Sequence, residues 1–403
     1  MKRAIAAVLV SAALCGCSNS QKFEMGTYGY DAEFLSRQGI STIELKSQDG
    51  QARVLVAPGL QGRVMTSATG GLDSPGFGWI NHAYIESGQR SDQFNPFGGE
   101  ERFWLGPEGG PFSLYFPQGS EQVYANWVVP SALDTESFEV ESADRKEAVF
   151  TRKMMLRNAS GTAFDIDVKR TVSLLDREEL GSLLGVEVPE SMEAVAYRTE
   201  NIITNAGDSP WTAQTGMPSI WLLGMFSPTP TTTVFIPFDP ESAGRAVNDE
   251  YFGKIPADRL VIGEGMVYFR IDGQYRSKLG LPKGSAKDVC GSYDSAEKVL
   301  TILKYTVPQG ECSYVNGQWG PQDDPFNGDV INSYNDGPTE TGTVMGPFYE
   351  VETSSPAAAL DPSESLVHTQ CTIHLKGDEK QLDAISVAVF GVGLDKVSSI
   401  FRK

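Results

Sequence analysis

Two stretches carry residue types that could do chemistry together. Asn95 to Gly110 sets five glycines and two prolines around Glu100, Glu101, Arg102, Phe103, Trp104 and Glu108. Glycine admits positive φ and close approach to a ligand, and proline fixes the flanking turns. Aromatic faces beside fixed charges suit a pyranose, which offers an apolar CH face for stacking and hydroxyls for paired hydrogen bonds. Glu101, Arg102, Trp104 and Glu108 are therefore the candidate substrate-binding residues. Two of them have a plainer reading: Trp104 as a packed core residue, Arg102 as a bridge to Glu101 or Glu108.

The second stretch runs from Gly346 to Leu375. In a strand, Glu350 and Glu352 project from one face, and so do His368, Gln370, Thr372 and His374. A turn centred on Leu360 sets Glu352 opposite His368 as a cross-strand carboxylate–imidazole pair. Such a pair raises the histidine pKa and can act as an acid–base couple. Glu350, Glu352 and His368 are accordingly the candidate catalytic residues. The bland alternative makes them solvated residues on an outer sheet face.

Other chemistries lack their motifs. The chain has no phosphate-binding Gly-x-x-x-x-Gly-Lys, no Cys-x-x-Cys, no His-Glu-x-x-His and no serine-hydrolase elbow. With His82, His368 and His374 the only histidines, no histidine-rich metal centre is expected, and no cofactor is implied. Asp323-Asp324-Pro325 and Asn327 to Pro338 form an amide- and carboxylate-rich loop. It reads as turn chemistry, with calcium or sugar hydroxyls as the other reading.

The elements that must hold these residues are short alternating runs between Gly, Pro, Asn and Asp breakers. Examples are Ala52–Ala57, Gly62–Ser67, Phe112–Phe116, Ala148–Leu156, Ala163–Leu174, Ala194–Thr204, Ser219–Met225, Thr231–Pro237, Lys298–Val307, Leu366–Leu375 and Ala384–Gly391. Helical character is confined to Leu180–Leu184 and Glu379–Ala384. The expected fold class is all-β, a large antiparallel sandwich in one domain over residues 39–403.

Lys2 and Arg3 precede an apolar run from Ala4 to Leu14, too short to span a bilayer as a helix but right for an export signal. Leu14-Cys15-Gly16-Cys17 matches a bacterial lipobox. The expectation is a signal over residues 1–16, lipidation of Cys17 and a tether over residues 17–38. The lipid is then the sole membrane anchor, and Ser18 after the cysteine favours the outer membrane facing the periplasm. Removing Lys2 and Arg3 from the 33 basic residues leaves 31 against 52 acidic ones, so the chain repels nucleic acid. Cys290, Cys312 and Cys371 then remain, with Cys290–Cys312 the nearer pair for a disulfide.

Three motifs in order resemble the galactose-mutarotase-like superfamily, in particular its uncharacterised lipoprotein members. They are Ala52 to Ser67, the Gly98-Gly-Glu-Glu-Arg-Phe-Trp-Leu-Gly-Pro-Glu turn, and Tyr349-Glu-Val-Glu…Pro356…Leu360-Asp-Pro-Ser-Glu. The resemblance implies an antiparallel super-sandwich with an open sugar cleft, Glu350 or Glu352 as the base, and Arg102 as a sugar contact. It departs at the acid: Thr204-Asn-Ala-Gly-Asp-Ser-Pro is followed by Trp211-Thr-Ala-Gln, without the family's histidine. Asn81-His82-Ala83-Tyr84 is similar to a histidine motif of the family but stands too early in the chain. The functional expectation is a carbohydrate-binding or carbohydrate-processing envelope lipoprotein. Its alternatives are a hexose epimerase or glycoside hydrolase or lyase, and a non-catalytic interaction protein.

Overall fold

The computed structural model describes residues 23–242, 247–339 and 341–402. The signal sequence and Cys17 lie outside the described residues. In chain order the strands are β1 Ile43–Lys46, β2 Arg53–Ala57, β3 Arg63–Ala68, β4 Arg102–Gly106, β5 Glu139–Ala143, β6 Glu147–Arg157, β7 Ala163–Leu174, β8 Glu193–Asn205 and β9 Ser219–Phe226. There follow β10 Thr232–Pro237, β11 Leu260–Ile262, β12 Met266–Arg270, β13 Ser277–Pro282, β14 Val289–Asp294, β15 Val299–Tyr305, β16 Asp329–Asn335, β17 Tyr349–Ser354 and β18 Ser365–Lys376.

These strands build three antiparallel sheets. The largest has ten strands in the order β11-β12-β10-β14-β15-β18-β8-β7-β6-β5. A five-stranded sheet, β13-β16-β17-β9-β4, packs on it, and β1-β2-β3 forms a small third sheet. Strand β7 shows why the long strands form: Phe164, Ile166, Val168, Arg170, Val172 and Leu174 are buried while the residues between them are exposed or half-buried. In β9, by contrast, every residue is buried. Its second face is roofed by irregular chain and a short helix, which supply Leu114, Tyr115, Trp127 and Leu133 to the same core. The outer face of the five-stranded sheet is therefore a covered chamber and not a solvated surface.

Several expectations are corrected. Residues 28–37, read as tether, form helix α1 Tyr28–Arg37, capped by Thr27, with Tyr28, Phe34 and Leu35 buried against the small sheet. Helices α2 His82–Ser87 and α3 Ser131–Asp134 lie in segments read as non-helical. Near Leu180, α4 Arg177–Leu184 forms with a capping box from Asp176 and Glu179. Ala384–Gly391, whose Val and Ile content reads as strand, is the second half of helix α5 Glu379–Phe390, and α6 Leu394–Ser399 follows. Burial of Leu382, Ile385, Ser386 and Phe390 at helical spacing, with caps at Asp378 and Gly391, overrides β-propensity there. Phe112–Phe116 is not a strand, and Asp329–Asn335 is one, entirely buried, where a loop was expected. Cys290, Cys312 and Cys371 are all free, so the Cys290–Cys312 pairing is not formed.

Candidate functional site

Strand alternation divides the residues of the glycine-rich stretch between two faces. Arg102 and Trp104 point outward from β4, and Glu101 and Phe103 point toward the ten-stranded sheet. The two glycines ahead of them serve the protein's own backbone. A Cβ on Gly98, at φ +83°, would lie 2.3 Å from the Trp79 carbonyl oxygen, and one on Gly99 would lie 2.6 Å from Arg63 Cδ.

On the outer face the register aligns Arg102, Leu223, Glu352 and Asn332 across β4, β9, β17 and β16. Glu350, opposite Tyr334, projects from the same side two residues away. Arg102 Nη2 donates to Glu350 Oε1 at 3.1 Å, and its guanidinium lies 4.1 Å from the centre of the Trp104 ring. Glu352 Oε2 accepts from Trp221 Nε1 at 2.9 Å and from Lys278 Nζ at 2.8 Å. Its Oε1 is buried without a partner, and so is Arg102 Nε.

Burial lifts the Glu350 carboxyl to about 8. Arg102 and Lys278 oppose the rise, and Glu352 and Asp336 add to it. Glu108, after Pro107, is lifted to about 6, chiefly by burial against the pull of Lys278. Burial lowers the Lys278 ammonium pKa, but the charges of Glu352 and Glu108 outweigh it and the net shift is upward. The chamber thus holds one carboxyl able to keep its proton at neutral pH beside another clamped by a cation. That combination can exchange a proton with a hydroxyl.

Glu101 is not part of this chamber. It accepts from Arg170 Nη2 at 2.9 Å and from Gln370 Nε2 at 2.7 Å, sealed between the sheets. His368 also faces the interior: Nε2 meets Thr353 Oγ1 at 2.9 Å, and burial lowers its pKa to about 3. The expected Glu352–His368 pair is not formed, because β17 pairs with β16 and β9 while β18 pairs with β15 and β8. Strands β17 and β18 lie in different sheets and are not a hairpin. The other histidines are also elsewhere. His82 contacts Asp31 at 2.7 Å beside α1, and His374 contacts Glu100 at 3.0 Å between the sheets.

Trp104 is 2% exposed, donates to the Leu133 carbonyl at 2.9 Å and packs on Trp221 and Tyr115. It is a wall, not an open stacking platform. The open rings are Tyr124 and Trp319, 62% and 38% exposed, nearly parallel to the buried Trp127 between them at 6.0 and 6.2 Å. Gln122 holds this rim in place: Oε1 accepts from Gly110 N at 2.9 Å and from Gly320 N at 2.7 Å. Sequence reasoning missed Lys278, Trp221, Trp127 and Trp319. No local signal marks Lys278 or Trp221; a lone Trp between Asn126 and two valines, and another inside an amide-rich loop, were the only hints.

The architecture is that of a galactose-mutarotase-like antiparallel β-sandwich. A protein from Escherichia coli K12 provisionally assigned as an aldose 1-epimerase superposes with a TM-score of 0.50 at 11% identity, over 83% of this chain and 99% of that one. A galactose mutarotase-like protein from Lactobacillus casei ATCC 334 gives 0.49 at 10% identity, over 83% and 100% of the two chains. Residues 26–401 match the model of DUF6786, a family of unknown function, and the chain belongs to that family. No curated protein matches it.

Proposed function

We propose that this protein binds carbohydrate in the chamber on the outer face of the five-stranded sheet, with Arg102, Glu350, Glu352 and Lys278 as polar contacts. One observation carries the reading. Glu352 Oε1, an acceptor, and Arg102 Nε, a donor, are both buried without partners. A sugar hydroxyl is donor and acceptor at once, so vicinal hydroxyls would satisfy both atoms. The open rings of Tyr124 and Trp319 and the half-buried Glu108 extend the chamber toward solvent. A glycan array probed with wild type and with Glu352→Gln tests the reading. At least one glycan should bind wild type and lose roughly tenfold or more in affinity in the variant. Absence of any glycan bound by wild type would sink it.

Catalysis is the second reading, favoured by the Glu350 carboxyl near 8 beside Glu352. The resemblance-implied Glu–His couple has no histidine on this face, so an epimerase or a glycoside hydrolase or lyase here runs on carboxylates. Following the anomers of a bound sugar by NMR, with and without Glu350→Gln, decides between turnover and binding alone. We further infer that the mature chain is an envelope lipoprotein held through Cys17, from the lipobox. Incorporation of labelled palmitate into wild type but not into Cys17→Ala is the expected result.

A further inference from the structure

The geometry points to a second carbohydrate site, distinct from the chamber: a cavity of about 590 Å³ beyond edge strand β13 that takes a neutral, polyhydroxylated ligand. Its walls include the turn after β13 at Lys283, the Asn248 segment and the loop from Cys312 to Asp329. That loop contains the first part of the amide- and carboxylate-rich run that the chamber leaves unused. Four wall atoms, Ser242 Oγ, Asn248 Oδ1, the Tyr314 hydroxyl and Gln322 Oε1, are buried with no oxygen or nitrogen partner, and the Tyr314 hydroxyl meets only the Cys312 sulfur. Tyr314 is only 1% exposed, and a hydroxyl buried so deeply is normally paired. The Asn248 amide also hydrogen-bonds the Asp329 carboxyl, which places its NH2 there and leaves the oxygen unsatisfied.

Asn248 Oδ1 and Gln322 Oε1 can only accept, whereas the Ser242 and Tyr314 hydroxyls can donate as well as accept. A cation would meet the oxygens but leave the hydroxyl protons without an acceptor, an anion would meet the hydroxyls but repel the amide oxygens, and neighbouring hydroxyls of one polyol satisfy both kinds of atom. Charge points the same way. The Lys283 ammonium is already engaged by the Pro308 and Gly310 carbonyls at 2.9 and 2.6 Å and by Cys312 Sγ at 2.9 Å. Asp323 and Asp324 on the wall disfavour an acidic sugar. Among the described residues no group of His, Cys, Asp and Glu is placed to hold a metal. Phe326, stacked on Phe112 at 5.7 Å, supplies an apolar ring. A partition divides this cavity from the chamber: Tyr251 donates to Asp329 Oδ2 at 2.5 Å and accepts from Asn332 Nδ2 at 3.2 Å.

The test is an array of neutral mono- and oligosaccharides probed with the full chain as wild type, Tyr314→Phe, Asn248→Ala and the chamber variant Lys278→Met, with hits titrated by calorimetry. At least one glycan should bind wild type and Lys278→Met alike and weaken about 3- to 10-fold in each cavity variant. Tyr314→Phe removes a hydroxyl whose only partner is the weak acceptor Cys312 Sγ, so its melting temperature should change little and lost binding is not unfolding. If every hit disappears in Lys278→Met and persists in both cavity variants, the second site is overturned while the chamber reading stands. Hits unaffected by all three substitutions also overturn it, and no hit with any form of the protein overturns both.

Discussion

The two faces of the five-stranded sheet each carry a cluster of charged and polar side chains, and they solve the same electrostatic problem differently. Between the sheets, Arg170 donates to the Gly62 carbonyl, to Asn201 Oδ1 and to Glu101 Oε1, and Gln370 completes Glu101. Both members of that ion pair are fully buried. On the outer face, Arg102, Glu350 and Lys278 keep 4%, 11% and 13% of their side-chain surface, and Glu352 and Arg102 leave buried atoms unpartnered. A nearly closed network holds the inner layer together; the outer cluster is held short of completion. The difference shows that a charge cluster by itself does not mark a site. Leftover polar capacity does not mark one either, since Glu100 Oε2 and His368 Nδ1 are also buried without partners between the sheets; what distinguishes the outer cluster is that its Glu350 and Lys278 side chains keep some contact with solvent.

The contrast is broken most forcefully from the inside. Arg170→Met strands Glu101 as an uncompensated buried charge and should cost about 3–5 kcal/mol in denaturant unfolding. Lys278→Met removes the cationic one of two donors to Glu352, itself only 1% exposed, and with Trp221 still donating should cost less, about 1–3 kcal/mol, while abolishing glycan binding in the chamber. Equal costs for the two substitutions would erase the distinction between a structural and a functional cluster.

Next in size is a pair of opposite pH dependences with one cause. Burial disfavours the charged form of both Glu350 and His368. Glu350 keeps its proton in the fold up to about 8 but loses it near 4.5 when unfolded. The native state therefore holds more protons between those values, and stability falls as pH rises through them. His368 stays neutral in the fold down to about 3, whereas the unfolded residue protonates near 6.5. There the unfolded state holds more protons, and stability rises with pH from about 3 to 6.5. Melting curves at pH 4, 6 and 8 should show Glu350→Gln flattening the alkaline limb and His368→Asn the acid limb, each by on the order of 1–3 kcal/mol. Both substitutions acting on the same limb would refute the assignment of these groups to their faces.

How far this was legible in the sequence follows from which rule each residue obeys. Alternation in Ala163–Leu174 and the pairing of Glu350 with Glu352 on one face are period-two facts, and any strand makes them visible. The same rule splits Glu101 from Arg102, but only once β4 is known to begin at Arg102, and the glycines around it read as loop. The hairpin error at Glu352 and His368 has another origin. Sequential strands here enter different sheets, and the ten intervening residues from Ser355 to Glu364 carry no mark of that crossing. Lys278 was invisible because its role depends on β13 lying two strands from β17, a long-range pairing that no local pattern encodes. Trp104 was read as an exposed platform or a core residue, and the three-dimensional roof, not its neighbours in sequence, decided for the core.

The smallest expected stability effect belongs to the rim, and it sharpens the comparison most. Trp319 is 38% exposed, and its loop is tied down by the Gly320 amide on Gln122 and by the Phe116 ring 5.1 Å away. Trp319→Ala removes a ring that packs on Phe116 and Trp127 and bonds Glu108 but leaves the Gln122 bond in place, so unfolding free energy should fall by about 1–2 kcal/mol. If the ring stacks on the CH face of a sugar entering the chamber, the same substitution should weaken glycan binding roughly 5- to 100-fold, in line with about 1–3 kcal/mol for loss of a stacked aromatic contact. The outer cluster would then show the signature the inner one lacks, in which stability and binding respond to different residues. If binding survives Trp319→Ala unchanged, the recognised sugar lies entirely within the charged floor of Arg102, Glu350, Glu352 and Lys278, and the aromatic rim serves only to roof it.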